Sequence, residues 1–341
     1  MSKLYKPPYS LSAAIVSLVA QIGEAVGRLA AHESAATTLR LRRINRIRTI
    51  QGSLAIEGNT LSEAQITAIL DGQRVIAAPR EIQEVRNAIK AYDRFTQWQA
   101  SAEKDLLTAH RILMKGLLDA PGQYRSAGVG VMVGAEVIHM APPAKRVPTL
   151  MRDLLSWLAA TDEHPLISSS VFHYEFEFIH PFEDGNGRMG RLWQTLILSQ
   201  WNPLLAHIPV ETLIHEHQQE YYAALNRSTQ NGDSSVFVEF MLQMILDATP
   251  RAQSKAQYKA QYKAQSESIL HALALAPLSA NELIVHLKLR SKTGAFKRTI
   301  KELLVNELIA YTLPDKPSSR LQKYRLTEKG RIIQIVDEGT T

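Results

Sequence analysis

Twelve consecutive residues, His180-Pro181-Phe182-Glu183-Asp184-Gly185-Asn186-Gly187-Arg188-Met189-Gly190-Arg191, constrain this chain more than any other segment. Pro181 biases His180 away from helical geometry, so the preceding segment should end there. Gly185 and Gly187 permit the backbone angles that let amides converge on an anion. A helix opening near Asn186 would add its positive end and its free N–H groups. Arg188 and Arg191, three apart, fall on one face of that helix. A planar guanidinium grips phosphate oxygens in pairs. These features predict a polyphosphate ligand.

The run resembles the signature of the Fic family, HPFx(D/E)GNGRxxR, at every fixed position. A plain helix–turn–helix connection would not require His, Asp and two Arg around its glycines. The resemblance implies transfer of AMP from ATP to a Tyr, Thr or Ser hydroxyl of a target protein or of the chain itself. By position, His180 would be the general base and Asp184 would hold Mg²⁺. Gly185, Asn186 and Gly187 would form the anion hole, with Arg188 and Arg191 on the outer phosphates. The chemistry suits these roles. His starts near the pKa that a base for a hydroxyl needs. Positioning, Mg²⁺ and Arg supply most of what phosphoryl transfer requires, and one Asp suffices for the metal. Glu183 falls at the variable position and reads as solvated. The resemblance also leaves open another nucleotide donor, removal of AMP, or a DNA-bound regulator.

A second match lies upstream. Ser53-Leu54-Ala55-Ile56-Glu57-Gly58 fits the family's inhibitory pattern (S/T)xxxE(G/N). Ser53 and Glu57, four apart, share one helix face. Gly58-Asn59 can stop that helix, and Thr60-Leu61-Ser62-Glu63 reads as the capping box of the next. The resemblance implies that Glu57 pairs with Arg191 and takes the place the γ-phosphate needs. The neighbouring run Glu81-Ile82-Gln83-Glu84-Val85 is also similar to the family.

Between these, Gly122-Gln123-Tyr124-Arg125 precedes two β-branched runs around Gly134, a pattern that predicts a hairpin. It resembles the family's flap, which implies that Val137, Ile138, His139 and Met140 hold a target segment as an added strand. Downstream, Tyr221-Tyr222 precedes Ala223-Ala224-Leu225 as in a later family helix. There the resemblance places Tyr222 near the adenine. Asp233 matches a family cap.

The 341 residues allow two or three domains. Zero Cys excludes disulfides and zinc–thiolate sites. Together with the want of an uninterrupted apolar run of about 18 residues, this predicts a cytoplasmic enzyme outside the membrane. Lys3 and Lys6 before Leu11 to Ala20 faintly imitate a signal peptide. Ser12 and Ser17 interrupt it, and the spacing of Ile15, Leu18, Val19, Ile22 and Val26 suits a packed amphipathic helix.

The expected fold is mainly α: a Fic helical bundle with a β-hairpin flap, plus a small α+β winged-helix domain. Its expected parts are an N-terminal helical region over 1–100, a Fic core over 101–250, a helical linker over 251–266 and a winged helix-turn-helix over 267–341. Phe172, Phe176 and Ile179 have helical spacing, although Phe176-Glu177-Phe178 alternates like a strand. The linker repeats Lys-Ala-Gln-Tyr with a period of four. Residues 251–341 carry 16 Lys/Arg against 8 Asp/Glu, a net +8, while the other 250 carry 23 against 25, a net −2. Arg290, Lys292, Lys297, Arg298 and Lys301 on a third helix, with Lys316, Arg320, Lys323 and Arg325 around a wing, predict a face able to track DNA phosphates. A basic module that binds protein, including a second copy as a homodimer, stays open.

Overall fold

The structure, a computed structural model, describes residues 5–31, 35–128, 130–133, 136–287, 289, 294–314, 319, 321–328 and 330. Its contacts divide the chain into Met1–Ser254 and Lys255–Thr341. The first unit contains α1 (Ala13–Ala31), α2 (Ala35–Ile56), α3 (Glu63–Leu70), α4 (Pro79–Arg94) and α5 (Glu103–Leu113). A hairpin of β1 (Gly130–Val133) and β2 (Glu136–Met140) follows. Then come α6 (Val147–Ala160), α7 (Pro165–Ile179), α8 (Asn186–Trp201), α9 (Val210–Glu216) and α10 (Gln218–Asn231). A 41-residue helix, α11 (Ser235–Leu275), runs on into the second unit. It is continuous where sequence patterning suggests a core helix, a linker and a further helix.

α7 and α8 pack on each other at the centre of the first unit. Helical burial settles the ambiguous segment: every residue from Leu166 to Phe176 is buried, along with Ile179. α8 sets Leu192, Trp193, Leu196 and Ile197 into the same core, so the arginines on its first turns stand on a rigid element. Trp193 stacks on Trp98 at 6.0 Å and donates to the Ala100 carbonyl at 2.8 Å.

α1 buries a stripe of Ile15, Ile22 and Val26. Its stretch Ala13–Ala30 is apolar enough over 18 residues to cross a membrane by length and composition, although Glu24 and Arg28 interrupt it. The segment before it is fastened to the core. Tyr5 donates to Glu175 at 2.8 Å, and Ser10 donates its backbone N–H to Ser235 and its hydroxyl to Asp233, both at 2.8 Å. Asp233 also accepts from the Ser235 N–H and so caps α11.

One local expectation changes. The capping box of α3 is formed by Ser62 and Gln65, while Thr60 turns to Glu81, which accepts from its N–H and its hydroxyl. α5 ends at Leu113, and a turn through Gly116, with φ +72°, leads to Leu118.

The second unit holds the end of α11, α12 (Ala280–His286), α13 (Gly294–Val305), and an antiparallel pair of β3 (Ile309–Tyr311) and β4 (Tyr324–Leu326). Ile269, Leu273, Leu283, Phe296, Ile300, Leu303, Ile309 and Leu326 form its core. Arg290, Lys292, Lys316 and Arg320 lie outside the described residues, as do Val129 and Gly134 of the hairpin.

Candidate active site

α7 stops at Ile179, since Pro181 disfavours a helical conformation at the residue before it. His180 then adopts left-handed angles, φ 50° and ψ 61°. For a residue with a Cβ, this costs about 1–2 kcal/mol. Arg125 over-determines the geometry. Its Nε donates to the His180 carbonyl at 2.7 Å, and one terminal nitrogen reaches the Pro142 and Ile179 carbonyls at 2.6 and 3.2 Å. The other donates to Ala127 at 2.9 Å, and the Arg125 N–H donates to Pro181. The sequence marks Arg125 only as part of the approach to the hairpin. In the fold it joins both roots of the hairpin to the end of α7.

The loop between His180 and α8 is closed by its own residues. Asn186 accepts from the Phe182 N–H and donates to the Phe182 carbonyl, both at 2.9 Å. Gly185, the N-cap of α8, has φ +84°, which favours a residue without a Cβ. His110 supports the loop from α5. Its ring stacks on Phe182 at 3.7 Å and 4°. Its Nδ1 accepts from the Gly122 N–H at 2.8 Å, which leaves the proton on Nε2, 3.0 Å from the Asp184 carbonyl. Burial pushes the His110 pKa down to about 4, so the ring is neutral at physiological pH. No motif in the sequence points to His110, because its three contacts are all long-range.

The motif's charged side chains are engaged. Asp184 accepts from Arg188 at 3.0 Å through one carboxylate oxygen and from Arg80 at 3.3 Å through the other. Arg188, buried, also stands 3.5 Å from Glu84 of α4. With 41% of its side chain exposed, Asp184 offers hard oxygen donors at the mouth of the site. That suits a cation such as Mg²⁺, which takes one or two carboxylates and completes its shell with phosphate oxygens. Glu183 is exposed. Sequence patterning gives no sign of Arg80 as a partner for Asp184.

Arg191, 2% exposed, is enclosed by the end of α2. It donates to Glu57 at 2.8 Å, to the Ser53 carbonyl at 2.8 Å and to the Ser53 hydroxyl at 3.2 Å. Burial alone would lower its pKa, but Glu57, Tyr221 and Glu177 together hold it above the ordinary arginine value. A Cβ at Gly187 would collide with the Glu57 carboxylate and come within 3.0 Å of Arg191, so the absence of a side chain there is what admits Glu57. α2 ends at Ile56, whose carbonyl accepts from Gln218 at 2.8 Å, and Gly58 turns the chain away.

Tyr222 is half-buried on α10, its ring edge-on to Tyr221 at 5.3 Å. Burial and the Glu57 carboxylate raise its pKa, which places it on the Glu57 side of the site. Tyr221 points inward to His173 at 3.2 Å. The backbone of Val137, Ile138, His139 and Met140 lies in β2, paired antiparallel with β1. Their side chains lie outside what the structure describes.

Residues 100–198 match the model of the Fic/DOC family. Residues 264–327 match that of the Filamentation induced by cAMP protein Fic-like, C-terminal domain. The crystal structure of a Fic family protein from Desulfovibrio desulfuricans G20 is 52% identical, with a TM-score of 0.73, over 96% of this chain and 99% of that one. The chain belongs to the Fic family. Among curated Fic relatives, Protein adenylyltransferase Fic of Aedes aegypti is 31% identical over 232 residues, 63% of this chain and 43% of the relative. Protein adenylyltransferase fic-1 of Caenorhabditis elegans is 33% identical over 205 residues, 55% of this chain and 37% of the relative. The chain thus spans less than half the length of the curated Fic relatives named here.

Proposed function

We propose that this Fic protein is a protein adenylyltransferase that moves AMP from ATP to a hydroxyl of a target protein, and that Glu57 restrains it. The reading rests above all on one loop. Between the end of α7 and the first turns of α8 it carries His180, Asp184, the N-terminus of α8 after Gly185, and two buried arginines.

The target hydroxyl oxygen attacks the α-phosphorus while His180 takes its proton. The bond from the α-phosphorus to the bridging oxygen breaks, and pyrophosphate leaves with that electron pair. Asp184 would hold Mg²⁺, which neutralises phosphate charge when bound. The opened α8 N-terminus and Arg188 steady the oxygens on which negative charge accumulates. Arg191 reaches the outer phosphate only when it leaves Glu57. The hairpin of β1 and β2 presents backbone groups that can pair with an extended target segment. Tyr222 would face the nucleotide, as the family resemblance implies.

α13 exposes Lys297, Arg298 and Lys301 while burying Phe296, Ile300 and Leu303. That arrangement supports contact of this unit with DNA phosphates, as a winged helix would make.

Label transfer from α-phosphate-labelled ATP with Mg²⁺ to proteins of a cell lysate tests the function. Wild type, Glu57→Gly, and Glu57→Gly with His180→Ala are compared. Strong labelling by the single variant, lost with His180→Ala, supports AMP transfer, base and restraint together. No label from three folded, ATP-binding variants points to another donor or to AMP removal.

A further inference from the structure

Glu84 stands between the two functional parts of the first unit. It projects from α4 with 13% of its side chain exposed. One of its oxygens accepts from the Asn59 side-chain amide at 2.8 Å. The other lies 3.5 Å from Arg188 and 3.5 Å from Arg80. Asn59 is buried, two residues after Glu57, in the turn that closes α2. It also donates to the Glu81 carbonyl at 3.2 Å and accepts from the Leu61 N–H at 3.1 Å. With Thr60 donating to Glu81, the turn that carries the restraint is fastened to α4 by several bonds, and α4 in turn meets the phosphate-binding loop.

Each of the two motif arginines therefore faces a glutamate, Arg191 facing Glu57 at 2.8 Å and Arg188 facing Glu84 at 3.5 Å, with Asp184 as the second carboxylate on Arg188 at 3.0 Å. Both arginines are buried, and a buried guanidinium requires an anionic or hydrogen-bonding partner. A carboxylate that supplies this partner before nucleotide arrives must be displaced, or must stand as a like charge beside the phosphates once it has arrived. Either outcome weakens binding of the polyphosphate.

We propose that Glu84 is a second inhibitory carboxylate, which occupies Arg188 as Glu57 occupies Arg191, and that Asn59 ties the two into one device. Movement of the α2 end then slackens both arginines, because the Asn59 bond that steadies Glu84 belongs to the same turn as Glu57. The proposal rests on the reading of the site as an ATP site restrained by Glu57.

Titration calorimetry with the α,β-methylene analogue of ATP and Mg²⁺ tests it without turnover. Wild type, Glu57→Gly, Glu84→Gln and the double variant are compared, each checked for a cooperative thermal transition. Glu84→Gln is expected to tighten the analogue by about threefold or more. The double variant should bind more tightly than Glu57→Gly but by less than the product of the single effects, as expected of contacts that share a turn. Glu84→Asp, which keeps the charge but withdraws it by one methylene, should move the affinity the same way by less, and it serves if Glu84→Gln does not fold. Tightening by Glu57→Gly together with unchanged or weaker binding on Glu84→Gln would overturn this proposal alone and make Glu84 a residue that orients Arg188. No tightening from either single variant would overturn it together with the restraint beneath it. Tightening by Glu84→Gln alone would uphold the hold on Arg188 and remove the role given to Glu57.

Discussion

The Arg125 guanidinium donates to the His180 carbonyl at 2.7 Å while one of its terminal nitrogens donates to Pro142 at 2.6 Å. One side chain thus sets the spacing between the proposed base and the root of the hairpin. Lysine has the charge but not the fork that reaches four carbonyls. Arg125→Lys is expected to cut transfer at least tenfold, because His180 relaxes from its left-handed angles. The nucleotide half of the loop keeps its own closure through Asn186 and His110, so ATP affinity should change by less than threefold. A parallel loss of both would show that Arg125 merely holds the fold.

His110→Phe keeps the stack on Phe182 but removes a donor to Asp184 and an acceptor for Gly122. Each partner left unsatisfied costs about 1–3 kcal/mol. Thermal denaturation should show a lower Tm, by about 2–4 °C for each kcal/mol lost. Nucleotide affinity should fall as well, because the Asp184 carbonyl belongs to the anion-binding loop. Unchanged Tm and affinity would mean that the ring, not its nitrogens, supports the loop.

How far the sequence reaches can be judged from these same residues. His180, Asp184, Arg188 and Arg191 fall within twelve consecutive residues, and Pro and Gly fix their backbone, so their arrangement is legible along the chain. Ser53 and Glu57 are legible as one helix face, and their meeting with Arg191 follows from the family pattern. His110, Arg80 and the forked role of Arg125 are not legible, because each acts across many residues and none alters a local period. The shift of the α3 cap from Thr60 to Ser62 has the same origin: Glu81, distant in sequence, takes the Thr60 hydroxyl. Continuity of α11 was hidden for the opposite reason. Its Lys-Ala-Gln-Tyr repeats are all compatible with helix, so composition changes along it while conformation does not.

The second unit's exposed cations give a salt signature. If Lys297, Arg298 and Lys301 meet phosphates, the full chain should bind duplex DNA with an affinity that falls linearly in log–log form with salt. The slope should be about −0.9 for each phosphate contacted. Lys297→Glu with Lys301→Glu should flatten that slope by roughly two contacts. Absence of binding at low salt would leave this face to protein partners.

Stability should decline on the alkaline side of neutrality. Burial pushes the carboxyls of Glu175, Glu177 and Glu211 up to about 7, 8 and 7, whereas in an unfolded chain they ionise near 4.5. Across that interval the folded state keeps protons that the unfolded state releases, so rising pH favours unfolding. Burial pushes His110, His173 and His207 down to about 4, 3 and 4 from an unfolded value near 6.5. There the unfolded state holds the extra protons, so falling pH favours unfolding. The two trends oppose each other between about pH 4.5 and 6.5, and above 6.5 only the carboxyls act. Tm should therefore fall between pH 6.5 and 8.5, and Glu177→Gln should remove part of that fall. Glu57 raises the Glu177 value, so Glu57→Gly should flatten the profile too. A Tm constant over this range would show that these carboxyls ionise in the folded chain as they do in the unfolded one.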